Sequence, residues 1–359
     1  MRVFLSYLLF PISIFYGIVV YFRNKFYDFG WCKSQKHNVT TIGVGNLRAG
    51  GTGKTPHVEY LIEVLSKDYN IAVLSRGYGR KTKGFKQLDA DKDTALTVGD
   101  EPLQMKKKFP DISFAVCEDR NKGVKELEKR INGLELVILD DVFQHRALDL
   151  DLSILLTEYS HPFFKDKVLP FGMLREQKKG YKRADYILIT KSPENYTMGD
   201  RLSFEADIKP KKYQKVFFSH IEYKPLYLMS DNEKKIEIQD QKVILLTGIA
   251  DNSIIIEYLS SKTQIIDKLE YADHHNFLDK DIDKIISLYN SKQEINPIII
   301  TTEKDAVRLL GFEKLNNLPI YVLPIGLIIT SSVTKSVSFK EIILDDVRKN
   351  KSYDRIYHN

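Results

Sequence analysis

Short apolar segments alternate with segments of helical periodicity along the first half of the chain. Apolar runs of strand length occupy residues 39–44, 71–75, 112–116, 136–139, 152–156 and 186–189. Helical patterns fall between them, at residues 56–66, 101–108 and 123–130. Continuous hydrophobic strands separated by helices are typical of a parallel sheet that is covered on both faces. The pattern therefore predicts an α/β domain built on a mostly parallel sheet.

Near residues 215–228 the pattern changes to two extended segments, which we interpret as a connecting β-ribbon. A second series of segments follows, which we interpret as a smaller α/β domain, at residues 243–246, 254–261, 264–269, 282–289, 298–301 and 321–325. A chain of 359 residues is long enough for two domains. The predicted organisation is an N-terminal helix (1–30), a larger α/β domain (31–212), the ribbon (213–230), a smaller α/β domain (231–345) and a charged, frayed tail (346–359).

The N-terminal segment is apolar and aromatic, with no charged residue between Arg2 and Arg23. About 20 uncharged residues are enough to span a bilayer. However, Pro11 interrupts the run, and tyrosines together with Trp31 favour the membrane interface. We predict a helix in the interface, with Arg23 and Lys25 near the lipid headgroups. A membrane-spanning helix and a buried helix that caps the first domain remain alternatives.

Charge and cysteine content narrow the class of protein. Lys and Arg number 54 against 48 Asp and Glu, a net charge of +6. This mild excess fits nucleotide phosphate or acidic lipid and does not indicate nucleic acid. Cys32 and Cys117 are far apart in the chain, so neither a disulfide framework nor a zinc site is predicted, and a reducing cytoplasm is favoured. No protein partner is inferred.

A glycine-rich segment follows the first predicted strand and precedes a predicted helix, and it reads Gly50-Gly51-Thr52-Gly53-Lys54-Thr55. In a P-loop, glycines allow backbone N–H groups to surround the phosphates, the lysine neutralises the β- and γ-phosphates, and the Thr hydroxyl binds Mg²⁺. The usual GxxxxGK[ST] spacing has a glycine where this chain has Arg48. The strand–loop–helix context matches, so nucleotide binding is predicted.

A second pattern supports the P-loop. The apolar strand at 136–139 ends in Asp140 and Asp141. In P-loop enzymes a carboxylate in this place supports Mg²⁺ directly or through water, and open α/β sheets bind ligands at the carboxyl ends of their strands. Many buried strands end in Asp, but with a P-loop upstream the functional interpretation is favoured.

Other polar clusters are ambiguous when taken singly. The arginines of segment 75–80 follow a predicted strand and either contact phosphate or lie in a solvated turn. Asp100 stands where a helix is expected to begin, so it is either a functional acid or a simple N-cap. Residues 273–275 read Asp-His-His, a pattern that is usually a solvated loop and that also occurs in metal phosphoesterases.

Taken in order, these motifs resemble the tetraacyldisaccharide 4'-kinase (lipid A 4'-kinase) family. The resemblance covers residues 10–310 and rests on segments 44–47, 50–56, 74–81, 99–102, 140–145, 169–176, 247–250, 273–275 and 302–307. Several motifs in a fixed order are far more specific than a single P-loop. Two departures occur: Val142 replaces an expected glycine, and Gln177 replaces an expected proline.

The resemblance implies a P-loop NTPase-type fold and the transfer of the ATP γ-phosphoryl group to the 4'-hydroxyl of a tetraacylated glucosamine disaccharide 1-phosphate, with Mg²⁺. It implies a peripheral or monotopic enzyme on the cytoplasmic face of the bacterial inner membrane, where membrane lipids are further partners. It also implies Asp100 as the base for the sugar hydroxyl with His274 as its partner. Lys54 and Thr55 would hold ATP and Mg²⁺, and the acids expected to serve the metal are Asp140, Asp141 and Glu176.

Two other classes stay open from the residues alone. One is a P-loop regulatory GTPase or ATPase without a small-molecule acceptor, although Pro193 replaces the base-reading aspartate of an [NT]KxD element at residues 190–193. The other is a non-catalytic, nucleotide-regulated membrane adaptor, which has no need of an acid beside the γ-phosphate. Acyl-chain preference and oligomeric state are not readable from the sequence.

Overall fold

The computed structural model describes residues 2–273, 275–331 and 338–357. Its α-helices are α1 (Arg2–Asp28), α2 (Lys54–Leu65), α3 (Ala95–Val98), α4 (Asp100–Lys108), α5 (Arg120–Arg130), α6 (Met198–Ile208), α7 (Ser253–Lys262), α8 (Asp279–Asn290), α9 (Glu303–Leu309) and α10 (Phe339–Tyr357). Its strands are β1 (Thr40–Asn46), β2 (Ile71–Ser75), β3 (Lys86–Gln87), β4 (Ser113–Val116), β5 (Leu136–Asp140), β6 (Leu152–Glu158), β7 (Tyr186–Thr190), β8 (Lys215–Tyr223), β9 (Leu226–Leu228), β10 (Asp231–Ile236), β11 (Lys242–Thr247), β12 (Gln264–Glu270), β13 (Ile298–Thr302), β14 (Ile320–Leu323) and β15 (Ile325–Ser331).

Within the described residues the strands form two sheets. The larger has nine strands in the order β15-β8-β7-β6-β1-β5-β2-β4-β3, and the smaller has six in the order β10-β9-β14-β13-β11-β12. In the larger sheet the strands from β8 to β4 run parallel, and β15 and β3 are antiparallel edges. The predicted α/β fold of P-loop NTPase type, with a mostly parallel sheet, is confirmed.

The central strands are buried along their whole length because helices cover both faces of the larger sheet. All residues of β1, β2, β5, β6 and β7 are buried. One face packs against α2 and α10, with Phe114 and Phe339 in its core, and the other packs against α5, with Leu74 and Leu127. Such burial explains why these strands read as continuous apolar runs rather than alternating ones.

The two extended segments near residues 215–228 are the strands β8 and β9, which belong to different sheets. The first is β8, which pairs parallel with β7 and antiparallel with β15 inside the larger sheet. The second is β9, which pairs with β10 and β14 in the smaller sheet. The chain therefore crosses between the sheets after β8 and returns to the larger sheet through β15. Residues 219–223 of β8 pair with β15 alone, so two antiparallel strands join the sheets in the region where a connecting ribbon is predicted.

The helix α10 continues through Tyr357 and so includes most of the segment that is predicted to be a charged tail. Phe339, Ile343 and Val347 recur at helical spacing and are buried against the larger sheet. The charged residues that suggested a tail lie on the same helix as these anchors. Packing of one apolar stripe is enough to hold a helix that is polar elsewhere.

Candidate active site

The P-loop lies at the carboxyl end of β1, where its glycines leave open space for phosphate. Gly53 has a φ of 83° and is the N-cap of α2, so the helix begins at Lys54. That left-handed backbone conformation favours glycine over any residue with a side chain. Nothing lies within 4 Å of where a Cβ would stand on Gly50 or Gly51. Thr55 lies almost buried in the first turn of α2.

Side chains from neighbouring strands hold this loop in place. The Asn46 amide donates to Thr52 Oγ1 at 2.7 Å, and the Thr190 hydroxyl donates to the Thr52 carbonyl at 3.0 Å. Arg48, which replaces the first glycine of the usual motif, pairs with Glu158 at 3.3 Å and with Asp166 at 3.0 Å. Ion pairs at Arg48 therefore fix the start of the loop.

His57, on the buried side of α2, joins the P-loop to β8. Its Nδ1 lies 2.7 Å from the Gly53 carbonyl oxygen and its Nε2 lies 2.9 Å from Ser219 Oγ. A carbonyl only accepts, so Nδ1 carries the proton and Nε2 accepts from the serine hydroxyl. Burial lowers the pKa of His57 to about 4, which keeps the imidazole neutral.

We expect this histidine to make folding sensitive to mild acid. Its folded pKa of about 4 lies below the ordinary 6.5, so the unfolded chain binds more protons between those values. Stability therefore falls as the pH drops from 6.5 towards 4, by about 2 kcal/mol between pH 7 and pH 5 from this group. Urea unfolding of the wild type and of His57→Gln at both pH values measures the effect. An equally steep loss in the variant would contradict the assignment.

The acids at the end of β5 have opposite environments. Burial, with the nearby carboxylates of Glu101 and Asp141, raises the pKa of Asp140 to about 7. Burial also opposes ionisation of Asp141, but Lys54 and Arg175 outweigh it and lower the pKa of this group. Asp141 Oδ1 lies 3.7 Å from Lys54 Nζ and accepts from Arg175 Nη1 at 2.9 Å. Asp141 is thus the ionised partner of the P-loop lysine.

Asp140 is the acid that a cation would stabilise. Its Oδ2 accepts from the Ser75 hydroxyl at 3.1 Å, whereas its Oδ1 is buried without a hydrogen-bond partner. An unpaired buried carboxylate oxygen is costly unless a proton or a metal ion satisfies it. Together with Thr55 in the adjacent helix turn, this donor set suits Mg²⁺, which takes one or two carboxylates and otherwise phosphate and water.

Glu176 is built into the protein rather than left open for a metal. It is 2% exposed, and its Oε1 accepts from Arg183 at 2.8 Å and Gln144 at 3.2 Å. Its Oε2 accepts from Asn24 at 2.8 Å. Among the described residues, no group of three or more His, Cys, Asp or Glu side chains is arranged to hold a metal ion. The expected set of Asp140, Asp141 and Glu176 is therefore not a preformed cage.

Asp100 is the first residue of α4 and not its N-cap, which is Gly99. It is 7% exposed, and its Oδ1 accepts from the N–H of Glu101 at 2.9 Å. Its Oδ2 lies 3.4 Å from Nη2 of Arg308. Arg308 belongs to α9, beside the smaller sheet, so the acid meets a cation from the other half of the chain.

Arg308 is an unforeseen member of this cluster. Its side chain is 7% exposed, and Nη1 donates to the carbonyl of His275 at 3.2 Å and lies 3.4 Å from Asp305 Oδ1. Its Nε and Nη2 are buried without a hydrogen-bond partner in the described structure. The last motif segment of the resemblance, 302–307, ends one residue before Arg308, and the position of Arg308 three residues after Asp305 on the same helix was the available signal.

Two residues of the Asp-His-His segment, Asp273 and His275, make contacts within the described structure. Asp273 pairs with Lys304 at 3.1 Å. His275 lies 3.0 Å from Asp281 and stacks on Tyr271. His274, which the resemblance implies as the partner of Asp100, lies outside the described residues.

The arginines that follow β2 have separate roles. Arg80 is 2% exposed at its side chain and donates to Glu118 and to the Gly84 carbonyl, each at 2.7 Å, so it organises its own loop. Arg76 is exposed. Its positive charge contributes to the lowered pKa of His145, where burial is the largest cause. Arg76 is the better placed of the two to meet a phosphate.

The two departures from the family pattern are explained locally. Val142 is buried, and its Cγ1 lies 2.7 Å from where a Cβ would stand on Gly43, so it fills the space that this glycine leaves in β1. Gln177 has a φ of −63°, the value that a proline imposes.

Comparison with known proteins gives a consistent answer. A profile of the family described as "Tetraacyldisaccharide-1-P 4'-kinase" matches residues 5–345. The chain is 40% identical over 351 residues to the tetraacyldisaccharide 4'-kinase of Phocaeicola vulgatus, covering 95% of each protein. It is 37% identical over 344 residues to that of Flavobacterium johnsoniae, covering 96% of this chain and 97% of the relative.

A solved structure is similar over the same extent. It is the crystal structure of "apo" form LpxK from Aquifex aeolicus in complex with ATP. The TM-score is 0.75 at 30% identity, with 96% of this chain and 99% of that chain covered. Both sheets therefore have counterparts in a protein of known structure.

Proposed function

The chain belongs to the tetraacyldisaccharide-1-P 4'-kinase family, and we propose from this that its active site lies where the P-loop faces the first turn of α4. The protein is an ATP-dependent kinase that transfers the γ-phosphoryl group to the 4'-hydroxyl of a tetraacyl glucosamine disaccharide 1-phosphate, a lipid A precursor. The alternative of a regulatory P-loop protein without a small-molecule acceptor is not favoured.

The observation that carries the site assignment is the division of charge around the P-loop. Lys54 faces the ionised Asp141 at 3.7 Å, while Asp100 approaches from α4 with its own cation, Arg308. One acid thus faces the P-loop lysine, and a second acid faces an arginine of α9. A kinase for a hydroxyl needs both: charge stabilisation for phosphate and a carboxylate for the acceptor proton.

In the proposed mechanism, backbone N–H groups of segment 50–55 and the Lys54 ammonium bind the β- and γ-phosphates. Asp100 accepts the proton of the sugar hydroxyl as that oxygen bonds to phosphorus and the bond to ADP breaks. Arg308, whose Nη2 lies 3.4 Å from Oδ2, orients the carboxylate. His274, by resemblance, is a second partner of Asp100.

The metal requirement follows from the donors present. Thr55, Asp140 and Asp141 would hold Mg²⁺ directly or through water. When bound, the ion neutralises charge that develops on the phosphates. Asp140 and Asp141 supply negative charge at this end of the site. Glu176 helps to position Asp141 through hydrogen bonds of Gln144 and Arg175.

The experiment that tests the function is direct phosphorylation. Purified protein is incubated with γ-labelled ATP, Mg²⁺ and tetraacyldisaccharide 1-phosphate in detergent micelles. Labelled bisphosphorylated lipid is the expected product. Hydrolysis of ATP that is unaffected by the lipid, with no labelled lipid, would instead favour a regulatory ATPase.

We also propose that α1 attaches the enzyme to the cytoplasmic face of the inner membrane. None of the described helices is both long enough and apolar enough to cross a bilayer. The outer side of α1 is apolar and exposed, with Phe15 at 70% and Phe22 at 53%, and Trp31 beyond it is 75% exposed. Lys25 lies 5.5 Å above the ring of Phe29. Aromatic and basic groups together suit the headgroup region of an anionic membrane.

We expect that a Phe15→Ser/Phe22→Ser variant binds anionic vesicles far more weakly than the wild type. Each ring contributes about 1 to 2 kcal/mol on burial in lipid, so the pair should weaken partitioning by about 10²-fold. Vesicle flotation measures binding, and Trp31, the one tryptophan of the chain, reports it independently by a blue shift of its emission.

The matched control for this variant is Leu202→Ser on α6. Leu202 is apolar and 59% exposed, which is between the exposures of Phe22 and Phe15, but it lies far along the chain from α1. It should leave flotation unchanged. Equal flotation of the double α1 variant and the wild type would rule out α1 as the anchor.

A further inference from the structure

Helix α1 has a second face, which is turned towards the protein. Ser13 and Val20 are each 8% exposed, whereas Ile18 on the other side is 48% exposed. Buried positions that recur about every third or fourth residue form one stripe on a helix. The same helix therefore has an outer apolar face and an inner face that packs on the catalytic half of the chain.

The inner face donates hydrogen bonds to the segment that carries Glu176. Ser13 Oγ donates to the carbonyl of Val168 at 2.7 Å. Tyr16 OH donates to the carbonyl of Arg175 at 2.9 Å. These contacts join residues more than 150 positions apart in the sequence. The helix thus fixes the backbone of the loop on which Arg175 and Glu176 stand.

Further along α1, two side chains reach the acidic network itself. Asn24 Nδ2 donates to Oε2 of Glu176 at 2.8 Å, while Gln144 and Arg183 share the other oxygen. Arg23 Nη2 donates to the backbone carbonyl of Gln144 at 2.7 Å. A buried carboxylate needs donors at both oxygens, and Asn24 supplies the one at Oε2.

From Glu176 the network continues to the P-loop. Gln144 Nε2 also donates to the carbonyl of Asn46, at the end of β1, at 2.7 Å. The Gln144 Oε1 accepts from Arg175 Nη1 at 3.3 Å, and the same nitrogen donates to Asp141 at 2.9 Å. Asp141 faces Lys54. A continuous chain of polar contacts therefore runs from the helix to the phosphate-binding lysine.

We propose that α1 is part of the active-site scaffold, with Asn24 as a positioning residue that acts through Glu176, Gln144 and Arg175 on Asp141. Such groups must be held to within a fraction of an ångström, and that requires supporting residues whose own hydrogen bonds are satisfied. The inference rests on the proposed function in taking Asp141 and the P-loop lysine as the nucleotide site, and its flotation contrast rests on the proposed attachment of α1 to lipid. Attachment to lipid and precision of catalysis then belong to opposite faces of one helix.

Asn24→Leu tests this directly, because it removes the amide with little change in volume. In mixed micelles at saturating lipid, kcat should fall about tenfold while the KM for lipid is unchanged. Vesicle flotation should equal that of the wild type. An Asn24→Leu/Glu176→Gln variant should be no slower than the slower single variant, since the two act as a unit.

Tyr16→Phe is a second variant, which preserves packing and removes one hydroxyl. It keeps the proposal testable if Asn24→Leu does not fold. It should lower kcat about threefold, again at constant flotation. The Phe15→Ser/Phe22→Ser variant gives the contrast, because it alters flotation.

Two outcomes would overturn the proposal: wild-type kcat in both folded inner-face variants, or a loss of flotation in them as large as in the outer-face variant. Lys54→Ala is assayed in parallel. Retained turnover in that variant would locate the error in the nucleotide site and not in the network.

Discussion

Replacing Lys54 with alanine should reduce kcat by about 10³-fold, because a cation aimed at the transferring phosphoryl group is worth most in a site sheltered from water. Lys54 is 13% exposed at its side chain and lies at the start of α2, where the helix dipole adds positive potential. The same change leaves Asp141 with Arg175 as the cation that donates a hydrogen bond to its carboxylate. Labelled-lipid assays at saturating ATP and saturating acceptor measure the effect.

The matched control for Lys54→Ala is Lys314→Ala. Lys314 is an exposed lysine beside the smaller sheet that pairs with Asp283 at 3.0 Å. It should retain wild-type turnover, because an exposed surface ion pair contributes little. A Lys54→Ala enzyme with a rate near that of the wild type would show that segment 50–55 is a structural turn and not a P-loop.

Asp100→Asn should lower kcat by about 10²- to 10⁴-fold, the usual contribution of a general base, with little change in the KM for ATP. The amide preserves size and can still accept from the N–H of Glu101, so the first turn of α4 should stay intact. Since Asp100 does not hold the nucleotide in this proposal, binding of a fluorescent ATP analogue should be unaffected. A loss of nucleotide affinity as large as the loss of kcat would place Asp100 in ATP binding instead.

The partner of Asp100 is tested by a double-mutant cycle. Arg308→Gln alone should lower kcat about tenfold, because it removes the cation 3.4 Å from the carboxylate. Added to Asp100→Asn it should cost little more, since residues that act as one unit are not additive. Arg308→Lys should recover part of the rate. Fully multiplicative losses would show that the arginine acts elsewhere.

The same cycle with His274→Ala tests the partner that the resemblance implies. Each single variant should lower kcat strongly, and the double variant should be barely worse than the slower single one. A normal kcat in His274→Ala would show that the histidine has no part in the mechanism. Arg308 of α9 would then be the partner of Asp100.

The sequence by itself determined the fold class and the kinase function. Continuous apolar strands predict a buried parallel sheet, segment 50–55 predicts a phosphate site, and the series of motifs in fixed order carries the family resemblance that implies a kinase. The strands at 71–75, 136–139 and 152–156 were placed within two residues of β2, β5 and β6. Local patterns suffice here because burial and backbone geometry leave their mark on consecutive residues.

The tertiary structure decided which residues meet. Asn24 and Glu176 are 152 positions apart, and Asp100 meets Arg308 across two sheets. No periodicity records such contacts, because a hydrogen bond between distant segments constrains single residues and not a pattern. For the same reason no sequence pattern shows the donors that surround Glu176, an acid that the resemblance implies as serving the metal. Burial, which only the folded chain defines, turns that acid into the support that links the N-terminal helix to the P-loop.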